Sequence, residues 1–203
     1  MRTSKPTYLL LTALVATAAI SIGLIGCTAA APMSEQYQQG SERSGTSDGR
    51  IVEIPVDERG AAVSFSGTTE YGDPVSSDDY AGEVYVVNFW YAACGPCIIE
   101  APMLEEVWLN YQDEGVGFLG VNIYDQPATA VAFAEENGIT YPSIIDVNDG
   151  RVKQAFAGVT PIQATPTTLV LDREGRVAAR IIGQVESTSI LDTLVADALA
   201  ETT

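Results

Sequence analysis

The segment Val86–Pro102, VVNFWYAACGPCIIEAP, contains an apolar run that leads directly into two closely spaced cysteines. The run from Val84 to Trp90 is almost wholly apolar, as is typical of a strand that is buried on both faces. In the sequence Cys94-Gly95-Pro96-Cys97 that follows, Pro96 suits the first turn of a helix, where its missing N–H is not needed. We therefore predict a buried strand, a cysteine pair and a helix in immediate succession.

The position of the cysteine pair predicts its chemistry. A thiol at the N-terminus of a helix faces unpaired backbone N–H groups and the positive end of the helix dipole, and both favour the thiolate. Cys94 is therefore the predicted nucleophile, which attacks a disulfide of a partner and forms a mixed disulfide. Cys97, screened by the helix, is the predicted resolving thiol, which attacks Cys94 and releases the reduced partner. This interpretation needs a Cys94 sulfur that is ionised near neutral pH and reachable from solvent.

Composition excludes several other classes of function. The 203 residues include 27 acidic and 10 basic side chains and no histidine, which gives a formal net charge of −17 at pH 7. Because so acidic a chain repels phosphate backbones, we expect no nucleic-acid partner. Without histidine there is no imidazole base and no Ser-His-Asp or Cys-His couple, and the commonest metal ligand is missing. We accordingly expect neither a metal site nor a cofactor.

The N-terminal residues have the pattern of an export signal. Arg2 and Lys5 precede an almost uncharged apolar run. Its ending, Leu24-Ile25-Gly26-Cys27, resembles the lipobox of bacterial lipoproteins, in which the signal is cut before a cysteine that then carries lipid. We predict a signal peptide over residues 1–26, lipidation of Cys27 and a location on the outer face of the bacterial cytoplasmic membrane. The alternative is a retained membrane-spanning anchor, since the run is nearly long enough to cross a bilayer.

A polar stretch separates this signal from the folded domain. From Thr28 to Arg50 the composition is dominated by Ser, Gly, Gln, Thr and Ala, which cannot bury enough apolar surface to order the segment. We predict a flexible linker over residues 27–50 and one domain over residues 51–203. Removal of residues 1–26 takes away two basic side chains, Arg2 and Lys5, and makes the formal net charge of −17 more negative by two. We expect a domain this acidic to be repelled by anionic lipid.

Strand and helix signals alternate through the rest of the domain. Apolar and β-branched runs predict further extended segments at Ala62–Phe65, Val116–Ile123, Ile144-Ile145, Thr167–Leu171 and Val177–Ile182. Apolar periodicity predicts three helices: one after the cysteine pair, with a stripe of Ile99, Met103, Val107 and Tyr111 beside Leu104 and Trp108, then Ala128–Glu136 and Ile190–Leu199. The order β-α-β-α-β-β-α predicts an α/β fold whose mixed sheet carries helices on both faces.

Together these motifs resemble the TlpA/ResA-like extracytoplasmic thiol-disulfide oxidoreductases of the thioredoxin superfamily. The resemblance runs over most of Ala62–Leu199. It rests on the Asn-Phe-Trp strand end, the Cys-Gly-Pro-Cys pair with Glu100 and Pro102 after it, Ala164-Thr165-Pro166-Thr167-Thr168 and Leu171-Asp172-Arg173-Glu174-Gly175. It implies a thioredoxin fold, a mixed central sheet flanked by helices, with an N-terminal strand extension and a central insertion at Asn122–Lys153.

The resemblance also implies supporting roles near the cysteines. Thr165-Pro166 corresponds to a cis-proline step, where backbone groups bind the substrate in an extended form; Pro161 is the alternative. Glu100, one helical turn after Cys97, is implied to exchange the proton of the resolving thiol, and its alternative role is to complement the helix dipole. Asn88 stands where cytoplasmic thioredoxins place a buried Asp, which leaves the proton relay to Glu100.

The chain departs from its relatives directly before the first cysteine. Ala93 stands where most of them carry Trp, so the ring that shields the pair is absent. We expect Trp90 and Tyr91 to compensate in part, and Trp90 to contribute to the substrate-binding surface with Thr165 and Pro166.

These features predict a membrane-anchored thiol-disulfide oxidoreductase that reduces disulfides of partner proteins and receives electrons from a membrane protein. Three alternatives remain: a disulfide-oxidising member of the same superfamily, a redox-inactive binding lipoprotein with the same fold, and a structural module stapled by the cysteine pair. The sequence leaves open whether the partners belong to cytochrome c maturation or to general thiol repair.

Overall fold

Residues 49–201 are the part of the chain that the computed structural model describes. The predicted signal peptide over residues 1–26, the predicted lipidation at Cys27 and nearly all of the predicted linker over residues 27–50 lie outside these residues. Among the helices within residues 49–201, none combines the length and the apolar character that crossing a bilayer requires.

The strands of this region are β1 (Ile51–Glu53), β2 (Ser66–Thr68), β3 (Pro74–Ser76), β4 (Val84–Trp90), β5 (Val116–Asn122), β6 (Ser143–Ile145), β7 (Thr167–Leu171) and β8 (Val177–Ile182). Six of them form a mixed sheet in the order β1-β8-β7-β4-β5-β6. β4, β5 and β6 run parallel, whereas β7 is antiparallel to β4 and β8, and β1 is antiparallel to β8. The hairpin of β2 and β3 meets β6 through a bridge between Thr69 and Ile144.

Helices cover both faces of the sheet: α1 (Gly95–Tyr111), α2 (Pro127–Asn137), α3 (Arg151–Ala157) and α4 (Thr188–Ala200). On one face, Leu104 of α1 and Leu191 of α4 share a core with Val86 of β4. On the other face, Val152 and Phe156 of α3 belong to a second core. Two short 3₁₀ turns, Val56–Glu58 and Ser77–Tyr80, complete the regular structure.

β4 lies in the middle of the sheet, and its side chains alternate between the two cores. Val84 and Val86 join the core under α1 and α4, whereas Tyr85, Val87 and Phe89 join the core under α3. All seven residues of β4 are buried, which confirms the predicted strand with two buried faces. Because α1 begins soon after β4 ends, the cysteine pair lies at the carboxyl end of this central strand.

The predicted thioredoxin fold is confirmed, and most of its elements lie where the sequence places them. β4, β7 and β8 have the predicted bounds, β5 ends one residue early, and α2 is one residue longer at each end. α2 ends at Gly138, whose φ of 69° is a left-handed conformation that glycine adopts without strain. β1 to β3 form the N-terminal strand extension, and the predicted central insertion, Asn122–Lys153, contains α2 and β6.

The prediction of a strand at Ala62–Phe65 is wrong. Val63 and Phe65 are buried alternately, as they would be in a strand. Their backbone groups, however, bond to turns and not to a neighbouring strand: the Val63 N–H donates to the Gly175 carbonyl at 2.9 Å, and the Phe65 carbonyl accepts the Ser77 N–H at 3.0 Å. The strand of this region, β2, begins directly after Phe65.

The apolar stripe predicted for α1 is displaced. Ile99 is 55% exposed, whereas the buried residues of α1 are Cys97, Glu100, Ala101, Leu104, Glu105 and Val107. The cysteine pair causes this rotation, because Cys97 turns toward the core and the residues three and four positions further along follow it inward. Two acidic side chains therefore lie on the buried face of α1.

Candidate active site

Cys94 and Cys97 form a disulfide at the N-terminus of α1. After β4 ends at Trp90, the Cys94 N–H donates to the Tyr91 carbonyl at 3.2 Å and closes a turn. Cys94 is then the N-cap of α1, and its sulfur accepts the N–H of Cys97 at 3.2 Å. The succession of strand, cysteine pair and helix is confirmed, and the first sulfur lies where a helix end favours negative charge.

The Cys94 sulfur is less accessible than the sequence interpretation requires. Cys94 is only 2% exposed in the disulfide form, and so is Cys97. The capping geometry explains this burial, because the sulfur turns inward toward the Cys97 N–H and is bonded to a side chain on the buried face of α1. Ala93 and Gly95, the neighbours of Cys94, are small and exposed. The surface on either side of Cys94 is therefore formed by small residues.

The Thr165–Pro166 peptide bond, directly before β7, is cis, as predicted. It is the only cis bond in residues 49–201, so Pro161 is not the cis-proline. The Thr165 carbonyl oxygen lies 3.9 Å from the Cys94 sulfur, which places this step beside the disulfide. The Pro166 carbonyl accepts the Gly183 N–H at 2.8 Å and so ties the step to the residue that follows β8.

Glu100 is a fully buried carboxyl group on α1, one helical turn after Cys97. Its Oε1 accepts from Nδ2 of Asn88 at 2.8 Å, and its Oε2 accepts the Val185 N–H at 2.8 Å. Burial raises the pKa of Glu100 from 4.5 to about 7, although both hydrogen bonds act in the opposite direction. A carboxyl group with this pKa can hold or release a proton near neutral pH.

Asn88 links Glu100 to the strand that carries the cis-proline. Its Nδ2 also donates to Oγ1 of Thr168 at 3.1 Å, and these two residues face each other in the β4–β7 register. Thr168 is two residues after Pro166. Hydrogen bonds therefore run from β7 through β4 to the carboxyl group on α1, and they hold all three elements of the site in one arrangement.

Trp90 packs in the core and does not form part of an exposed substrate-binding surface, contrary to the prediction. It is 6% exposed, and its ring centroid lies 4.4 Å from that of Phe133 on α2. Its Nε1 donates to Oγ of Ser143 at 3.2 Å. The cause is its place as the last residue of a strand that is enclosed along its whole length. Trp90 belongs to the same cluster of buried residues as Cys94 and Cys97.

An aromatic pair, formed by the exposed Tyr124 and the half-buried Tyr91, lies beside the disulfide turn. Tyr124 is 72% exposed, and its ring centroid is 5.6 Å from that of Tyr91. The loop of Tyr124 is tied to the disulfide turn, because Oδ2 of Asp125 accepts the Ala92 N–H at 2.6 Å. A signal for this proximity exists in the sequence: the loop follows β5, and carboxyl ends of neighbouring parallel strands share one edge.

The groups gathered here suit thiol-disulfide exchange. They comprise two sulfurs, a buried carboxyl group with a raised pKa and the backbone at Thr165–Pro166. Exchange between a thiolate and a disulfide needs no cofactor. Within residues 49–201, no group of three or more His, Cys, Asp or Glu side chains is placed to hold a metal ion.

Comparison with known proteins identifies relatives of this chain. A model of the AhpC/TSA family matches residues 59–180. Over 112 residues the chain is 38% identical to the thiol-disulfide oxidoreductase ResA of Geobacillus thermodenitrificans, which covers 55% of this chain and 62% of that protein. Over 129 residues it is 36% identical to the ResA of Geobacillus kaustophilus, covering 64% and 71%. The chain thus spans only part of the length of these relatives.

A solved structure has the same fold. A DsbF homologue from Corynebacterium diphtheriae is similar with a TM-score of 0.66 and 29% sequence identity, over 76% of this chain and 96% of that chain. The similarity therefore covers nearly all of that protein, which agrees with the thioredoxin fold described above.

Proposed function

This chain belongs to the AhpC/TSA family, and we propose that it is a thiol-disulfide oxidoreductase that reduces disulfides of partner proteins with Cys94 as nucleophile and Cys97 as resolving thiol. The position of Cys94 is the observation that assigns the nucleophilic role to Cys94 and the resolving role to Cys97. Its sulfur caps α1 and lies 3.9 Å from the Thr165 carbonyl. A partner chain that lies extended along Thr165 and Pro166 would therefore bring its own sulfur next to Cys94.

The proposed reaction has two exchange steps. The Cys94 thiolate of the reduced protein attacks the partner disulfide, one partner sulfur leaves as a thiolate, and a mixed disulfide forms. Cys97 then loses its proton and attacks the Cys94 sulfur, which releases the second partner sulfur as a thiolate. The partner has gained two electrons, and the protein ends with the Cys94–Cys97 disulfide that the structure contains.

Glu100 is the proposed proton acceptor for Cys97 in the second step. It lies on the same buried face of α1 as Cys97, and its pKa of about 7 keeps a fraction of the group ionised at neutral pH. Its burial favours this role over simple complementation of the helix dipole, which an exposed carboxylate would serve equally well. Asn88 and Val185 hold the carboxyl group in place from two different elements.

Insulin reduction tests the proposed function. With dithiothreitol as electron source, we expect the protein to accelerate the reduction of insulin disulfides, and Cys94→Ser to show the rate of dithiothreitol alone. We expect a midpoint potential near the thioredoxin value of about −270 mV, because Gly and Pro separate the cysteines as in reducing members of the superfamily.

The same measurements separate the alternatives. A midpoint near about −120 mV would indicate an oxidant. Failure to accelerate insulin reduction, with a disulfide that thiols do not open reversibly, would indicate a redox-inactive binding protein. Loss of stability on reduction without electron transfer to insulin would indicate a structural staple.

We further propose that the protein is exported and held on the outer face of the bacterial cytoplasmic membrane by lipid on Cys27, where a membrane protein supplies its electrons. The support lies in the sequence: two basic residues, an apolar run and the ending Leu24-Ile25-Gly26-Cys27. Acyl chains at this cysteine would hold a domain that anionic lipid repels.

Replacement of the anchoring cysteine tests this location. When the full chain is expressed in a bacterium, we expect wild-type protein in the membrane fraction and Cys27→Ser in the soluble extracytoplasmic fraction, or as uncleaved precursor. Membrane-bound, uncleaved protein without lipid in both cases would instead support a retained spanning anchor. Insulin reduction by the two purified proteins should be equal, because Cys27 takes no part in exchange.

A further inference from the structure

A small cavity lies beside Cys97, lined by residues of α1, α2, β4 and β6. Its volume is about 10 Å³, close to what a single buried water molecule needs. The polar residues that line it with Cys97 are Asn88, Trp90, Tyr141 and Ser143. A buried water molecule usually has two to four polar partners, and this lining can supply them.

Tyr141 is one of the residues that line this cavity, and its hydroxyl group makes no hydrogen bond to any residue within 49–201. The side chain is 6% exposed, and its ring centroid lies 5.6 Å from that of Phe118. Within residues 49–201 the fully buried side-chain polar atoms without a partner are Tyr85 Oη and Arg180 Nε, so the Tyr141 hydroxyl group keeps contact with open space. Hydroxyl groups of this kind in native proteins are commonly bonded to ordered water. The Oδ1 atom of Asn88 likewise accepts no hydrogen bond within the described residues, since Nδ2 makes both bonds of that amide.

The charged groups around the cavity are acidic. Glu100 and Glu105 of α1 act on Tyr141, and together with burial they raise the pKa of its phenol, so the hydroxyl stays protonated. Glu70, which precedes β3, lies behind Ser143 and accepts its N–H at 2.8 Å. The lining residues from β4 and α2 carry no charge. A thiolate on Cys97 would find no cation among the lining residues, so its stabilisation depends on neutral hydrogen-bond donors.

We propose that Tyr141 is a positioning residue for the resolving step: its hydroxyl group holds one water molecule in the cavity, and this water donates a hydrogen bond to the Cys97 sulfur as negative charge develops there. The inference rests on the proposed function, in which Glu100 takes the proton of Cys97. The new thiolate attacks Cys94, the bond between Cys94 and the partner breaks, and the electron pair leaves with the partner sulfur. The water itself gains and loses no proton, and it acts only by stabilising the anion.

Tyr141→Phe tests the proposal, because it keeps the ring and removes only the hydroxyl group. In a Cys94→Ser background Cys97 titrates without its partner, and the ¹³Cβ chemical shift of Cys97 reports its ionisation. We expect Tyr141→Phe to raise the titration midpoint of Cys97 by about one pH unit, the scale on which hydrogen bonds to an anion shift a pKa. With both cysteines present, release of the partner from the mixed disulfide at pH 7 should slow about tenfold.

Tyr85→Phe is the matched control. It removes a buried hydroxyl group without a partner that lies in the core on the opposite face of the sheet. We expect it to leave the Cys97 titration unchanged. An unchanged titration in Tyr141→Phe as well would overturn the proposal.

A crystal structure of the wild-type protein provides a test that does not depend on a variant. We expect one ordered water bonded to the Tyr141 hydroxyl group, and an empty cavity would overturn the assignment. If insulin reduction fails while Tyr141→Phe still shifts the Cys97 titration, then the proposed function is wrong and the cavity assignment stands.

Discussion

Cys97→Ser should accumulate a mixed disulfide between Cys94 and a partner protein, whereas Cys94→Ser should accumulate none. The two sulfurs differ in their surroundings: that of Cys94 caps the helix and adjoins the Thr165 carbonyl, and Cys97 lies on the buried face of α1. A partner that binds along Thr165 and Pro166 should therefore meet the Cys94 sulfur first. The resolving attack is intramolecular, and well-oriented groups of this kind reach effective molarities of about 10⁵ M or more. Loss of this attack in Cys97→Ser should lengthen the lifetime of the mixed disulfide by at least about 10³-fold.

The lifetime is measured by mixing each reduced variant with insulin, quenching with acid at intervals and following the conjugate on non-reducing gels. Mass spectrometry then locates the bond at residue 94. The double variant Cys94→Ser/Cys97→Ser sets the background. Equal trapping by the two single variants would mean that either sulfur can act first, and the assignment of roles would be wrong. The trap has a second use, since applied to cell extracts it captures candidate substrates for identification.

Glu100→Gln should remove a loss of stability that the wild-type protein shows between about pH 4.5 and pH 7. Below this window the carboxyl group is protonated in both the folded and the unfolded chain, so it has no effect. As the pH rises, the unfolded chain releases its proton first, because burial raises the folded-state pKa from 4.5 to about 7. The free energy of unfolding therefore falls through the window, by about 3 kcal/mol in total, and is level above it.

Urea unfolding of both proteins at a series of pH values measures this effect. The difference between the two curves is the relevant quantity, because Glu53 and Glu70 also have raised pKa values and contribute equally to both proteins. Glu106→Gln is the control, since Glu106 is an exposed residue of the same helix and should keep the wild-type slope. Parallel curves for wild type and Glu100→Gln would show that Glu100 does not titrate in this window.

The glutamine variant also carries a cost that does not depend on pH. Its NH₂ group must lie opposite Asn88 or Val185, and both of these now donate to the carboxyl group. Rotation of the Asn88 amide would turn Oδ1 toward the new donor. Any remaining mismatch lowers stability equally at every pH, so the slope of the curve, and not its height, reports the titration of Glu100. The same variant should lose the pH dependence of partner release near pH 7.

The sequence predicts correctly those strands and helix ends that depend on neighbouring residues alone. β4, β7 and β8 have the bounds that their apolar runs indicate, and α2 stops at a glycine that can take a left-handed conformation. α3 was not predicted, because Val152 and Phe156 are its only buried residues and two positions make no periodic pattern. The predictions for Trp90 and Ile99 are wrong in opposite ways. The sequence predicts Trp90 at the surface, and it is buried; it predicts Ile99 in the core, and it is exposed.

The order of the residues alone was enough to indicate the chemistry of this protein. A buried strand that runs into Cys-Gly-Pro-Cys places a thiol at a helix end, and each part of that arrangement spans only a few neighbouring residues. The environment of the reacting groups came from contacts between distant parts of the chain. Burial raises the pKa of Glu100, although the hydrogen bonds from Asn88 and Val185 lower it. The cavity beside Cys97 is lined in part by Tyr141, more than forty residues away. Burial and proton affinity depend on which segments pack together, and packing is a property of the whole fold.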